Sequence, residues 1–398
     1  MLNCKIVIIC NDSFPNGGAS ANRLLTLGIG LKNEGYDVEV FIIRPTEQNE
    51  KENRNPLNGS ADGVYFKYMV SNNVWSNRSK QEKLLGIAEG FINTIRHLTR
   101  SLKTNKNVII IDTLSSISLS TGLYMFTKIH GLKFVIHLDE YPWPRIFRDR
   151  YNFLYRSLFF AIKFRLYDGL IVMTSELSKY YSRLKCSKAP LCHIPMTVDA
   201  ERFAVTKDKE RSLLVTYCGS MSVYKDGVDL LLESFAIFSK HNPEFKLQLI
   251  GKTEGNPDYQ SLLNMVKESG LEQRVIFTGE VPSGRIPRML SDSDMLVLSR
   301  RNNIQAQGGF PTKLGEYLLT GKPVVLTKFG EVSEYLMDGI NSFISDEATP
   351  EAFSDKLDFV AKNYEQASEI GAAGCETALR SFDYKVVSGR LSDFLTRL

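Results

Sequence analysis

Short, unbroken apolar runs rich in β-branched residues recur at Lys5 to Ile9, Val38 to Ile43, Val108 to Ile111, Phe134 to Ile136 and Leu170 to Met173, with amphipathic helical stretches between them. Runs of about five apolar residues that do not alternate with polar ones fit strands covered on both faces, and strand-helix alternation selects a parallel α/β sheet. The alternation restarts after the charged stretch Asp199 to Arg211, with strands expected at Leu213 to Cys218, Leu247 to Ile250, Val275 to Thr278, Met295 to Leu298 and Pro323 to Thr327. Two doubly wound domains follow. The length of 398 residues suits that reading, because a single core stops growing near ~250 to 300 residues. The boundaries read as 1–203 and 212–375, with 376–398 as a C-terminal piece whose last helix carries Val387, Leu391 and Leu395 at helical spacing.

The charge balance excludes some functions. The 49 Lys+Arg against 45 Asp+Glu leave a formal +4, too weak a bias for dedicated nucleic-acid binding. Six cysteines without CxxC pairs read as reduced thiols rather than a zinc site or a disulfide framework. No stretch reaches the ~18 uncharged apolar residues of a membrane span, so the expectation is a cytoplasmic protein, at most peripheral on the inner face of a membrane.

Open parallel sheets bind ligands beyond the carboxyl ends of their strands. Gly17, Gly18 and Ala19 follow the first strand and lead into a helix, so backbone N–H groups there suit an anion or a sugar hydroxyl; the pair also reads simply as a turn. His137 ends a strand beside Asp139 and Glu140; it is either an imidazole facing a ligand or one hydrogen-bonded to backbone. In the second half, Gly219 and Ser220 open a loop that brings Lys225 before a helix, a point charge for a diphosphate or else a solvated lysine. Gly251 and Lys252 follow the next strand. The densest constellation is Gly308, Gly309, Phe310, Thr312, Lys313, Leu314 and Glu316. A glycine turn and a helix start offer amides at Thr312 to Leu314 to phosphate, and Glu316 can accept both ribose hydroxyls.

With those segments in hand, the chain resembles the retaining GT-B glycosyltransferases of family four, also called glycosyl transferases group 1, along nearly its whole length. The matching marks are Gly17-Gly18, His137, Ile194-Pro195 with Val198-Asp199, Gly219 to Gly227, Val275 to Gly279 with Val281-Pro282, Ser299, and Phe310 to Val325. The resemblance implies a GT-B fold of two Rossmann-like domains facing a central cleft, the first for the acceptor and the second for a UDP- or GDP-type nucleotide-sugar, with the C-terminal helix packing back on the first. It implies a hexosyltransferase that keeps anomeric configuration and needs neither cofactor nor metal, with His137, Lys225 and Glu316 as its catalytic set.

Two departures stand out. Ser220 occupies the place of the family's usual Arg and Asp226 is inserted before Gly227, which leaves Arg300 or Lys313 as the second diphosphate cation. The first Glu of the family's paired-Glu signature falls at Gly308, so Gly308 and Gly309 are expected to act through backbone N–H groups. The acceptor implied is a saccharide or lipid-linked saccharide in surface polysaccharide or glycolipid biosynthesis. Residues 143–168, basic and aromatic together, read equally as a membrane-surface helix or a core helix with basic edges. The alternatives are a GT-B-like epimerase or phosphorylase, or a nucleotide-sugar-binding subunit that has lost catalysis. Asp292-Ser-Asp294 matches a metal-binding DxD but precedes a strand, and reads as a helix-end turn.

Overall fold

The structure, a computed structural model, describes residues 4–47, 55–75, 79–142, 159–203 and 211–398. It divides into two compact units, Met1–Thr197 with Tyr384–Leu398, and Val198–Asp383.

The first unit is built on an eight-stranded sheet in the order β3-β4-β2-β1-β5-β6-β7-β8. These strands are β1 Lys5–Cys10, β2 Asp37–Ile42, β3 Asn58–Ala61, β4 Val64–Tyr68, β5 Val108–Asp112, β6 Lys133–Leu138, β7 Gly169–Val172 and β8 Leu191–His193. All neighbours pair in parallel except β3 with β4. Ile6 to Cys10 are essentially without exposure, as strands covered on both faces must be. The hairpin of β3 and β4 is absent from the sequence reading because β4 alternates buried with half-buried residues instead of running apolar. Three-residue strands such as β8 carry too short a signal to be seen.

The second unit holds a six-stranded sheet, β11-β10-β9-β12-β13-β14, parallel throughout. Its strands are β9 Leu214–Cys218, β10 Lys246–Ile250, β11 Val275–Gly279, β12 Met295–Leu298, β13 Val324–Thr327 and β14 Phe343–Ser345. Counted from β9, the order across the sheet is 3-2-1-4-5-6, and the winding reverses between β9 and β12. That switch point is where an open sheet leaves a crevice for a ligand.

The unit boundaries differ from those read off the sequence. Val198 already belongs to the second unit: its N–H donates to the Phe382 carbonyl at 2.9 Å and it bridges Asp383. At the far end, helix Tyr364–Ser381 stays in the second unit, where Gly371 lies close to the Gly321 carbonyl. Only helix Tyr384–Thr396 returns to the first. There Val387, Leu391, Phe394 and Leu395 share a core with Leu24, Leu27 and Leu31 of helix Ala19–Asn33. Gly30 permits the close approach, since a Cβ there would stand 2.7 Å from Ser388 Cβ.

Of the basic aromatic stretch 143–168, residues 143–158 lie outside the described residues. In the remainder Phe159, Phe164 and Lys163 are buried, and the Lys163 ammonium donates to the Leu114 carbonyl. That part is core.

Candidate functional site

In the second unit the loop after β9 is shaped by glycine at two places. A Cβ on Gly251 would stand 1.9 Å from the Gly219 carbonyl oxygen, so the ends of β9 and β10 come together only without one. Gly227 takes φ of 65°, which separates the short helix Val223–Asp226 from helix Val228–His241. Ser222 caps the short helix by accepting from the Lys225 N–H at 3.1 Å, and Lys225 itself is half-buried. Asn256 Nδ2 ties the loop to β10's exit, donating to the Ser220 carbonyl at 2.9 Å and the Lys252 carbonyl at 3.4 Å.

Under this loop lies a buried polar cluster. Lys313 Nζ, from helix Thr312–Leu319, donates to Asp226 Oδ1 at 3.0 Å and to Tyr217 Oη at 2.9 Å. Ser220 Oγ donates to the other Asp226 oxygen. Asp226 is 2% exposed. Burial alone would raise its pKa, but Lys313, Ser220 and Tyr217 together hold it well below the ordinary carboxylate value. Gly219 makes room for this arrangement, because a Cβ there would fall 2.1 Å from Lys313 Nζ.

Several expected donor contacts are therefore otherwise engaged. The Ser220 hydroxyl is committed to Asp226. The Gly309 amide donates back to the Gln305 carbonyl at 3.1 Å and the Leu314 amide to Pro311 at 3.0 Å, since both residues close local turns. Phe310 is core, 4% exposed and packed against Tyr335 and Phe382. Gly308 is buried as well. Thr312 and Lys313 stand in the first turn of a helix whose N-cap is Pro311, without a side-chain cap. Of the two cations considered for a diphosphate, Lys313 is paired with Asp226, and Arg300, 3% exposed, lies over the Phe329 ring with one Nη about where Gly309 leaves space, 4.0 Å from a Cβ built there.

Glu316 sits one turn beyond Lys313. Burial raises its pKa, and the guanidinium of Arg202, at 3.2 Å from Oε1, opposes that rise. Arg202 was not singled out in the sequence; its place in a short turn at Ala200–Arg202 gives no local sign of a partner 114 residues away. Asp294 accepts from Ser212 Oγ, the Leu214 N–H and Tyr364 Oη. That makes the Asp292-Ser-Asp294 turn a structural tie.

In the first unit, Gly18 is the N-cap of helix Ala19–Asn33 and contributes no side-chain cap. Gly17 is required by space: a Cβ would stand 2.2 Å from the Ser13 carbonyl oxygen. One turn into the helix, Arg23 is 1% exposed. Its Nη atoms donate to the carbonyls of Pro195 at 2.6 Å and Ile194 at 2.7 Å, and its Nε lies 3.1 Å from His137 Nε2 and 2.8 Å from Asp139 Oδ1. Arg23 thus links the glycine turn, His137 and Ile194-Pro195, three of the sequence marks. His137 is 6% exposed rather than presented at an open surface. Burial, reinforced by Arg23 and opposed by Asp139, pulls its pKa down to about 4, so the imidazole is neutral near pH 7.

Known proteins resemble the chain in both sequence and fold. The GDP-mannose-dependent alpha-(1-6)-phosphatidylinositol monomannoside mannosyltransferase of Mycolicibacterium smegmatis is 26% identical over 220 residues, 52% of this chain and 56% of that protein. Mannosylfructose-phosphate synthase of Agrobacterium fabrum is 26% identical over 216 residues, 50% and 46% of the two chains. The chain spans about half the length of these curated relatives. Among solved structures, sucrose-phosphate synthase from Thermosynechococcus elongatus superposes with a TM-score of 0.76 at 14% identity, covering 99% of this chain and 98% of that one. Anabaena HepE, crystallised with UDP and glucose, gives 0.72 at 16% identity, covering 99% and 100%. These likenesses show the GT-B fold with its two Rossmann-like units. Residues 198–377, nearly all of the second unit, match the family model of Glycosyl transferases group 1.

Proposed function

We propose that this protein is a retaining, metal-independent hexosyltransferase that moves a sugar from a UDP- or GDP-type nucleotide-sugar onto a saccharide or lipid-linked saccharide in surface polysaccharide or glycolipid synthesis. The observation that carries the reading is the switch point of the second sheet. The Gly219 to Lys225 loop, the start of helix Thr312–Leu319 and Glu316 are gathered beyond strands β9 and β12. Helix amides with nearby lysine and arginine suit a pyrophosphate, and a carboxylate one turn on suits ribose. The relatives named for GDP-mannose, and the neighbour crystallised with UDP and glucose, support a nucleotide-sugar as donor.

In this reading Lys225 and Arg300 bear on the leaving diphosphate, doing electrostatically what a divalent cation does elsewhere. Lys313 braces the loop through Asp226. The leaving phosphate oxygen assists the acceptor hydroxyl, and His137, neutral near pH 7, does not act as a nucleophile. A cytoplasmic site at the inner face of the membrane accords with such an acceptor.

The test is nucleotide binding by calorimetry together with transfer from labelled donor. Glu316→Ala and Lys225→Ala should each weaken the preferred nucleoside diphosphate by roughly tenfold or more, the value of a charge-assisted hydrogen bond. Unchanged affinity and turnover in both variants would refute the site. Release of free sugar or sugar phosphate with every acceptor offered would favour an epimerase or phosphorylase instead.

A further inference from the structure

Glu316 has a charged partner. Arg202 Nη1 donates to Glu316 Oε1 at 3.2 Å, and its Nη2 donates to the Ser283 carbonyl at 3.1 Å, in the loop after β11. The arginine is itself held by the short turn Ala200–Arg202, which Asp199 caps by accepting from the Glu201 N–H at 3.0 Å. Its guanidinium is therefore fixed from behind and aimed at one carboxylate oxygen.

We propose that Arg202 is a positioning residue for nucleotide recognition: it holds the Glu316 carboxylate so that the remaining acceptor sites meet the ribose hydroxyls of a nucleoside diphosphate. This rests on the donor-site reading above. The contact is monodentate, engaging Oε1 alone, so Oε2 and a further lone pair stay available for two hydroxyl donors. A guanidinium that sealed the acid would have forked across both oxygens.

The charge environment gives the contact its purpose. A carboxyl that gained a proton would exchange acceptor capacity for an O–H and meet the ribose poorly. The groups facing Glu316 are Arg202 from the turn Ala200–Arg202, Cys218 from the end of β9 and Tyr317 from its own helix. Burial pushes the thiol and the phenol up, so both are neutral from pH 5 to 8. Lys313, one turn earlier, is paired with Asp226. Arg202 supplies the compensating positive charge.

The experiment is calorimetric titration of the full chain with UDP and GDP and with their 2′,3′-dideoxy counterparts, at pH 5.5 and 7.5, for wild type, Arg202→Ala and Arg202→Lys. The Arg202 side chain is about one-third exposed, so its loss should leave the fold intact, which circular dichroism checks. Arg202→Ala should weaken the preferred ribose ligand roughly tenfold at pH 7.5 and more at pH 5.5, because burial then raises the Glu316 pKa with no guanidinium to oppose it. Arg202→Lys should recover part of this, and the dideoxy ligand should bind equally to wild type and Arg202→Ala. Equal or tighter binding of the ribose ligand by Arg202→Ala overturns the proposal, the tighter result making Arg202 a plug. An equal loss on the dideoxy ligand also overturns it, since Arg202 would then act elsewhere. A wild type that binds no nucleoside diphosphate, or is indifferent to the two hydroxyls, brings down the donor-site reading itself.

Discussion

Asp226 and Lys313 form a pair whose two side chains are 3% and 17% exposed, and a buried pair is weak evidence for stability but a strong constraint against losing one partner. Asp226→Asn should cost about 3 to 5 kcal/mol in chemical denaturation, because it strands the ammonium. Adding Lys313→Met to that variant should recover most of the loss, and failure to recover would mean that the cost lies in the Ser220 bond instead. His137 makes a different prediction. Unfolded, its imidazole titrates near 6.5; folded, near 4. Between those values the unfolded chain binds the extra proton, so stability falls as pH drops from about 6.5 toward 4, at most ~1.4 kcal/mol per unit. His137→Gln should flatten that limb of the melting-temperature profile, and an unchanged slope would place the sensitivity elsewhere. Lys313 and His137 were visible as candidates in the sequence. The pairing of Lys313 with Asp226 and of His137 with Arg23 was not, because such contacts depend on distances of a few ångströms set by other elements.

Elements settle which glycines matter. At Gly251 an added methyl meets backbone, the Gly219 carbonyl at 1.9 Å, whereas at Gly219 it meets the end of the Lys313 side chain and the Tyr217 hydroxyl. Gly251→Ala should therefore force β9 and β10 apart at their carboxyl ends and lower the melting temperature by several degrees. Gly219→Ala should act first on Lys313 and thus on nucleotide affinity. Measuring both variants by thermal melting and nucleotide titration tests the contrast, and a Gly251→Ala variant that melts like wild type would refute it. The strands themselves were legible from their apolar runs, to within a residue or two for most. The β3-β4 hairpin and the three-residue strands were not, since alternation at a sheet edge and very short runs leave little periodic signal.

At the scale of the molecule, the last helix completes a core begun by the first residues. Removing 384–398 strips Val387, Leu391, Phe394 and Leu395 from that core, each worth ~1.5 to 3 kcal/mol of burial, a sum comparable to a domain's whole margin of about 5 to 15 kcal/mol. The truncated chain should show new proteolytic cleavage within 4–197 while 198–383 stays resistant and, in the proposed reading, still binds nucleotide. Cleavage spread evenly over both units would contradict this division. The unit boundaries explain why the cut belongs at 383/384: the preceding helix is packed within the second unit and the following one within the first.

Fold class was written locally. Unbroken apolar runs at strand length, separated by helical periodicity, require parallel sheets covered on both faces, and the chain is too long for one core, so two α/β units followed from residues that are neighbours in sequence. The glycine turns and helix starts were readable for the same reason, since backbone geometry is decided within a few residues. Which groups face each other was decided only in three dimensions. Asp226 meets Lys313 across 87 positions, and Arg23 meets His137, and Arg202 meets Glu316, each across 114. Strand order brings such residues together, and neither periodicity nor composition encodes strand order; hydrogen bonds and ion pairs, acting over about 3 Å, register only its result.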